Sequence, residues 1–205
     1  MTKMPTKSPN LVFVLADQLR YQSCGFAGDK RAKTPVMDHL ATQGINFEQA
    51  VANAPVCTAY RAALLTGLYT SSNGMVINEL RINPNQRCFG HALTDGGYDT
   101  CYVGKWHLYA NELGNHFDPK NSFVPPGPHR LGFDGEWYAY NFHHDSYGAY
   151  YHKDSPEKIY YGDSVYEADA QTDLAIDYLK RKADSSTPFA LFLSWGPPHD
   201  PWTDD

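Results

Sequence analysis

Two apolar runs of strand length dominate the hydrophobic pattern of the chain. They are Leu11–Ala16, which reads LVFVLA, and Phe189–Trp195, which reads FALFLSW. Continuous apolar runs of this length are typical of central strands that are buried on both faces of a parallel sheet. The pattern also predicts an alternating strand at residues 98–103 and a strand of mixed polarity at residues 45–52.

Helical periodicity appears in three segments between and beside these strands. Residues 34–44 have Pro35 at the first helical position and Gly44 as the stop. Residues 85–94 are predicted to be helical, and residues 162–182 form the clearest predicted helix, with apolar side chains down one face. A cap from Asp163 or Ser164 and a cap from Thr58 are also expected. Because strands alternate with helices, the sequence predicts an α/β layer fold with a mostly parallel sheet.

The segment 109–161 shows no sustained period and is rich in Gly, Pro, Asn, His and Tyr. We predict that it forms a long loop insertion with a short hairpin, whose rings line a pocket or pack within the loops. No metal site is predicted at His143-His144, because no third ligand has suitable spacing. The chain stops in a loop at Asp205, so we interpret it as truncated there.

Composition excludes several classes of function. The chain has 205 residues, enough for one domain, and a formal charge of −6 without any Lys/Arg run, which argues against nucleic acid or an anionic membrane as a partner. No apolar run reaches the ~18 residues of a membrane span. The polar start lacks the apolar core of a signal peptide, so we expect a cytoplasmic location. The four scattered cysteines favour reduced thiols. The oligomeric state is not predicted.

Four polar clusters follow predicted strands or lie in the loops after them. They are Asp17-Gln18, Cys57 with Arg61, Lys105 with His107, and His199. Ligands of open α/β sheets bind at the carboxyl ends of the strands, where these clusters are expected to meet. Cys57 is predicted at the mouth of a short helix, which attracts anions.

Each cluster alone also has an ordinary structural interpretation. Asp17 can cap a turn, Cys57 can be a small buried thiol, and Lys105 can be a surface lysine. Lys105 and His107 are two residues apart, so both point to the same side of an extended segment. Together, the clusters combine a carboxylate, a nucleophile candidate, cations and proton carriers. This set suits transfer of a tetrahedral anionic group such as sulfuryl or phosphoryl.

Four motifs in order carry a family resemblance. They are Pro9-Asn-Leu-Val-Phe-Val-Leu-Ala-Asp17-Gln18, Cys57-Thr-Ala-Tyr-Arg61 followed by Ala-Ala-Leu-Leu-Thr-Gly67, Gly104-Lys-Trp-His107, and Pro198-His199-Asp-Pro201. From Pro9 onward the chain resembles the N-terminal portion of a type I sulfatase of the alkaline phosphatase-like superfamily. The resemblance implies a three-layer α/β/α fold with a mostly parallel sheet, incomplete at the C-terminus, in which residues 1–205 are the N-terminal part of the catalytic domain.

The resemblance also implies a metal and a modified nucleophile. Asp17 and Gln18 match ligands of a divalent metal, with calcium expected first and magnesium or manganese as alternatives. Cys57 matches the residue that a maturase oxidises to formylglycine, whose gem-diol attacks sulfur. Arg61 matches the residue that orients this diol. The implied substrate is a small-molecule or saccharide sulfate ester.

Three further residues match the family's catalytic and substrate-binding positions. Lys105 matches a sulfate-oxygen contact, His107 matches a residue that hydrogen-bonds the diol and takes part in sulfate expulsion, and His199 matches the histidine near the leaving-group oxygen. The family's usual motif is Cys-x-Pro-Ser-Arg, whereas Ala59 and Tyr60 replace its proline and serine here. This departure favours the radical-based maturase of the family.

Two alternatives stay open at the level of sequence. The first is a phosphonate monoester or phosphodiester hydrolase of the same superfamily, which also uses formylglycine and an Asp-Gln metal pair. The second is an inactive, truncated binding domain, because the family's other metal ligands and another sulfate contact are expected beyond Asp205. The 205-residue chain alone is therefore expected to be nearly inactive.

Overall fold

The computed structural model describes residues 8–110 and 121–201. The strands are β1 (Leu11–Ala16), β2 (Asp99–Lys105), β3 (Glu136–Tyr140), β4 (Tyr150–Tyr151), β5 (Ile159–Tyr160) and β6 (Phe189–Trp195). The α-helices are α1 (Pro35–Gln43), α2 (Cys57–Thr66), α3 (Thr70–Asn73), α4 (Phe89–Asp95) and α5 (Glu167–Lys182). The main sheet has the order β1-β6-β2-β3 and is parallel throughout, while β4 and β5 form a separate antiparallel pair.

Helices cover both faces of this sheet because successive strand residues point to opposite sides. Val103 and Leu191 face α5, where they pack in one buried cluster with Ala175 and Tyr178. On the other face, Tyr102 and Phe192 pack with side chains of α2 and of the loops before β3. The protein is therefore a three-layer α/β/α structure with a parallel sheet, as predicted.

The strand predictions are confirmed for β1, β2 and β6 but not for residues 45–52. That segment forms neither strand nor helix, and its apolar side chains are exposed, as Ile45 shows at 82%. The prediction that β1 is a central strand buried on both faces is also wrong. It is an edge strand of the described sheet, and Val12 and Val14 are about half exposed. An apolar run cannot by itself tell an edge position from a central one.

The helix predictions are confirmed with shifted starting points. The segment 34–44 contains α1, and α4 begins at Phe89 rather than at residue 85. The last helix begins at Glu167, after Tyr166, and no side chain caps it, so the expected cap from Asp163 or Ser164 is not formed.

The segment 109–161 contains more regular structure than the sequence predicted. The short antiparallel pair β4–β5 matches the expected hairpin, but β3 also lies here and extends the main sheet. Residues 111–120 and the chain end at Asp205 lie outside the described residues. Within the described part of the chain, the longest apolar helical stretch falls short of what a bilayer crossing needs.

Candidate active site

The predicted clusters meet at one edge of the sheet. Because β1, β2 and β6 are parallel, their carboxyl ends lie on the same side. Asp17 directly follows β1, Lys105 ends β2, and Ser194 is the penultimate residue of β6. α2 adds Cys57 as its first residue. A cleft of about 700 Å³ opens at this edge, and its wall includes Asp17, Gln18, Cys57, Arg61 and His199.

Asp17 is the centre of the polar contacts. Its Oδ2 lies 2.7 Å from Lys105 Nζ and 3.1 Å from Arg61 Nη2, and its Oδ1 accepts a hydrogen bond from Cys57 Sγ at 3.5 Å. Burial alone raises the pKa of Asp17, but the two cations outweigh it and hold the pKa well below the ordinary value. Asp17 therefore stays ionised over the physiological range.

The two cations beside Asp17 are buried, and Arg61 is fixed by a backbone and a hydroxyl oxygen. Arg61 Nη1 donates to the Lys105 carbonyl at 2.6 Å and to Ser194 Oγ at 2.7 Å. The Tyr102 hydroxyl donates to the same Lys105 carbonyl at 2.8 Å. Burial, with the charge of Arg61, lowers the pKa of Lys105, whereas Asp17 opposes this shift. Two cations share one carboxylate, so the cluster has excess positive charge and is suited to hold an anion.

Cys57 occupies the N-terminus of α2, as the sequence predicted. Lys105 Nζ lies 4.0 Å from its sulfur. Burial raises the pKa of the Cys57 thiol, and Lys105 only partly opposes this shift, so the unmodified residue is a thiol rather than a thiolate at neutral pH. Thr58 does not cap the helix, because its hydroxyl donates to the His107 carbonyl at 2.8 Å. Instead, Asn78 Oδ1 accepts the Thr58 N–H at 3.1 Å.

The Gly-Lys-Trp-His segment depends on its glycine. Gly104 has φ +99°, and a Cβ there would lie 2.1 Å from the Ser194 carbonyl oxygen. His107 and Gln18, both just after strands, also have positive φ values of 55° and 61°, which is strained backbone for residues other than glycine. Such strain is concentrated at functional sites in proteins.

Lys105 and His107 point toward the same neighbour, in agreement with their spacing. Lys105 Nζ lies 5.0 Å from the centre of the Phe142 ring, and the His107 ring lies 4.2 Å from it. His107 is buried, however, and is not among the described residues that line the cleft. Packing on Phe142 therefore places it behind the cleft wall rather than in it.

His199 reaches the site from the loop after β6. Its Nδ1 lies 2.6 Å from the carbonyl oxygen of Asp200, and the Asp200 N–H donates to Gln18 Oε1 at 3.3 Å. Asp17, Cys57 and His199 each have a side-chain atom that can bind a metal ion, and these three atoms lie within 4.8 Å of one another. The structure thus brings all four sequence clusters together, with Lys105 and His107 buried behind the cleft wall.

The oxygen donors fit part of a site for a hard divalent cation. Both cations contact Asp17 Oδ2, so Oδ1 faces the cleft side with Cys57. Gln18 Oε1 is a second oxygen at the same strand end. Because Ca²⁺ takes about 6–8 oxygen ligands, these two residues supply only part of a coordination sphere.

Sequence reasoning missed two supporting residues and one strand end. Ser194 joins Arg61 to the backbone of Lys105, and Asn78 satisfies the start of α2. The only sequence signal for Ser194 is a polar residue near the end of an apolar run. The third omission is the segment after β3, which carries His144 and lies against His199.

Comparisons with known proteins agree with this geometry. The family model described as Sulfatase matches residues 9–205. An ulvan-active sulfatase of Formosa agariphila is 40% identical over 198 residues, which cover 96% of this chain and 36% of that protein. Members of the family use a divalent metal and a formylglycine.

Two solved structures share the fold over almost the whole chain. The YidJ protein of Bacteroides fragilis has a TM-score of 0.81 and 30% identity, with 97% of this chain and 46% of that chain covered. A protein in complex with its substrate D-glucosamine-2-N,6-O-disulfate has a TM-score of 0.78 and 29% identity, with coverage of 95% and 35%. This chain therefore spans less than half the length of these relatives. It belongs to the sulfatase family.

Proposed function

We propose that the protein containing this chain hydrolyses sulfate esters, with Cys57 as the precursor of its nucleophile. The observation that carries this proposal is the buried cluster of Asp17, Arg61 and Lys105 against Cys57 at the start of a helix. A sulfate ester brings a tetrahedral group with anionic oxygens, and its charge complements the excess positive charge of the cluster. Because the chain covers about a third of the ulvan-active relative, the activity belongs to the whole protein.

The proposed mechanism assigns a role to each side chain in the cleft. Formylglycine derived from Cys57 would supply a hydrated aldehyde, with one hydroxyl as the nucleophile toward sulfur and a second hydroxyl that allows elimination of sulfate. Arg61 and Asp17 would orient this group, because Asp17 Oδ1 accepts a hydrogen bond from the Cys57 sulfur and Asp17 Oδ2 contacts Arg61. Lys105 neutralises charge on the sulfuryl oxygens, and His199 donates a proton to the departing alcohol oxygen. His107, buried behind the wall, is assigned the hydrogen bond to the modified residue.

Asp17 and Gln18 are proposed to hold the divalent metal, with calcium expected before magnesium or manganese. When bound, the metal supplies positive charge beside the nucleophile. The further ligands and the second cationic sulfate contact are assigned to parts of the protein outside the described residues.

A saccharide sulfate ester is the proposed substrate class. It is supported by the relative named for ulvan and by the solved structure with bound glucosamine disulfate. A radical-type maturase is the proposed partner, because Ala59 occupies the position after Thr58 where the family motif has proline.

The test is coexpression of the whole protein with a radical-type maturase, followed by mass spectrometry of the Cys57 peptide and assays on aryl and saccharide sulfates. We expect the mass change of thiol-to-aldehyde conversion together with sulfatase turnover. Cys57→Ala should abolish turnover, whereas the control Cys88→Ala, a buried thiol outside the cleft, should retain it. A higher kcat/KM on a phosphonate monoester or phosphodiester would favour the superfamily alternative. Sulfate binding without any turnover would favour a binding domain.

A further inference from the structure

The segment that follows β3 brings another imidazole to the cleft. The ring of His144 lies 4.4 Å from the ring of His199, centre to centre, with an angle of 41° between the ring planes. Both rings and Lys105 border a small polar cavity of about 10 Å³. β3 is parallel to β2, so its carboxyl end reaches the same edge of the sheet as Lys105. His144 thus lies beside the cleft, at the same edge of the sheet and in contact with His199.

The segment that carries His144 is held in place by packing between aromatic rings. Phe142 lies 4.7 Å from the His144 ring and 4.2 Å from the His107 ring, measured between ring centres. The neighbouring His143 is stacked on Tyr140 at 3.6 Å, and its Nε2 lies 3.5 Å from Glu167 Oε1. These packed rings limit how far the segment can shift. His144 is therefore a rigid surface for its neighbour.

His199 lies in the loop after β6, where its backbone N–H donates to the Gly196 carbonyl at 3.2 Å. Among the described residues, the polar contacts of its ring Nδ1 are to the adjacent Asp200, at the carbonyl oxygen and at a carboxylate oxygen 3.2 Å away. A side chain that must donate a proton to a leaving group needs a fixed direction, since a misplacement of about 1 Å can reduce the rate by about a hundredfold. The ring of His144 is the aromatic neighbour that packs against the His199 ring.

We propose that His144 is a positioning residue that holds His199 toward the leaving-group oxygen through ring packing. This inference rests on the proposed sulfatase function and adds a residue that the family motifs in this sequence do not include. Burial lowers the pKa of His144 to about 4, and the charges of Lys105 and His199 add to the shift. His144 is therefore neutral at pH 7, and an uncharged ring can pack against His199 without repulsion.

The kinetic test compares leaving groups in the matured whole protein. If His144 positions a proton donor, His144→Ala should lower kcat on an alkyl or sugar sulfate at least about tenfold, because a poor leaving group needs the proton. On nitrophenyl sulfate, where the leaving group departs without help, kcat should change by less than about twofold. The control His39→Ala removes an exposed imidazole of α1 and should alter neither rate. Equal loss on both esters, or no loss on either, would overturn the proposal.

A second measurement separates this inference from the proposed function. In imidazole NMR spectra of the protein, His199 should give one sharp set of ring signals with a nuclear Overhauser contact to His144. In His144→Ala, with backbone amide signals otherwise preserved, the His199 ring signals should broaden or multiply. An unchanged His199 ring would contradict positioning, whatever the enzyme assays give. Absence of sulfatase turnover in the wild type would instead contradict the proposed function while the spectra still decide the role of His144.

Discussion

The two edges of the main sheet differ sharply in how they are covered. At the β3 edge, Trp137 and Tyr140 are buried, and Ala139 pairs with His152 in the segment that carries β4 and β5. At the β1 edge, Val12 is 53% exposed, and the loop around Phe47 leaves that side chain 73% exposed. The site extends between these two edges. Lys105 ends β2, which pairs with β3, whereas Asp17 and Gln18 follow β1 at the open edge.

This contrast shows which side chains of the candidate site are already held in place within the described residues. Lys105 and Arg61 are almost fully buried. Arg61 donates to the Lys105 carbonyl and to Ser194, and Lys105 Nζ contacts Asp17, so both cations are held without a ligand. Gln18 and His199 are more open, and Asp200 contacts both of them. The two sides therefore differ in that the anion site is preorganised, whereas the metal site is incomplete.

The strongest test of the covered side is removal of Arg61. Arg61→Ala leaves Asp17 with one cation and removes two buried hydrogen bonds, so the free energy of unfolding should fall by about 3–5 kcal/mol. Urea denaturation followed by circular dichroism measures this change. The control Arg181→Ala breaks a half-exposed pair with Glu136 and should cost less than about 1 kcal/mol. Equal effects of the two variants would refute the idea of a preorganised buried cluster.

A matched pair of leucines compares a covered position with an open one. Leu191, in β6, is 1% exposed, whereas Leu40, in α1, is 60% exposed. Leu191→Ala should lower the free energy of unfolding by about 3 kcal/mol, because it leaves a cavity in the packed layer under α5. Leu40→Ala should change it by less than about 0.5 kcal/mol. Denaturant midpoints and slopes decide the comparison, and a large effect at Leu40 would mean that α1 is covered in solution.

The smallest expected effect concerns the pH dependence of the covered side. Burial raises the pKa of Glu167 to about 8, so the folded chain keeps a proton that the unfolded chain releases. Its stabilising contribution is complete below the ordinary pKa near 4.5 and is lost as the pH rises toward 8. Burial lowers the pKa of the neighbouring His143 to about 3, which affects stability only below pH 6.5.

The window from pH 6.5 to pH 8 therefore isolates Glu167. Across it, the wild type should lose about 2 kcal/mol of unfolding free energy relative to Glu167→Gln, which does not titrate. Thermal or urea unfolding at several pH values measures the difference. Parallel curves for the two proteins would show that Glu167 is ionised in the folded state.

Much of the fold and of the site follows from local patterns. The apolar runs predicted β1 and β6, and the motif order predicted which side chains meet, because parallel strands place their carboxyl ends at one edge. The secondary structure of segments 45–52 and 109–161 was harder to predict, because mixed polarity favours neither the helical nor the strand period. In the first of them no strand forms, and in the second β3 pairs with β2, where Trp137 stacks on Tyr102.

The sequence by itself determined that a cysteine at a helix start, a carboxylate after a strand and two cations would belong to one anion site. These are short-range signals, each carried by a few adjacent residues. Only the tertiary structure decided how they are connected. Arg61 meets Ser194 from 133 positions away, and His144 meets His199 across a loop that shows no period. Such contacts depend on the register of distant strands and on side-chain packing, which local pattern does not encode.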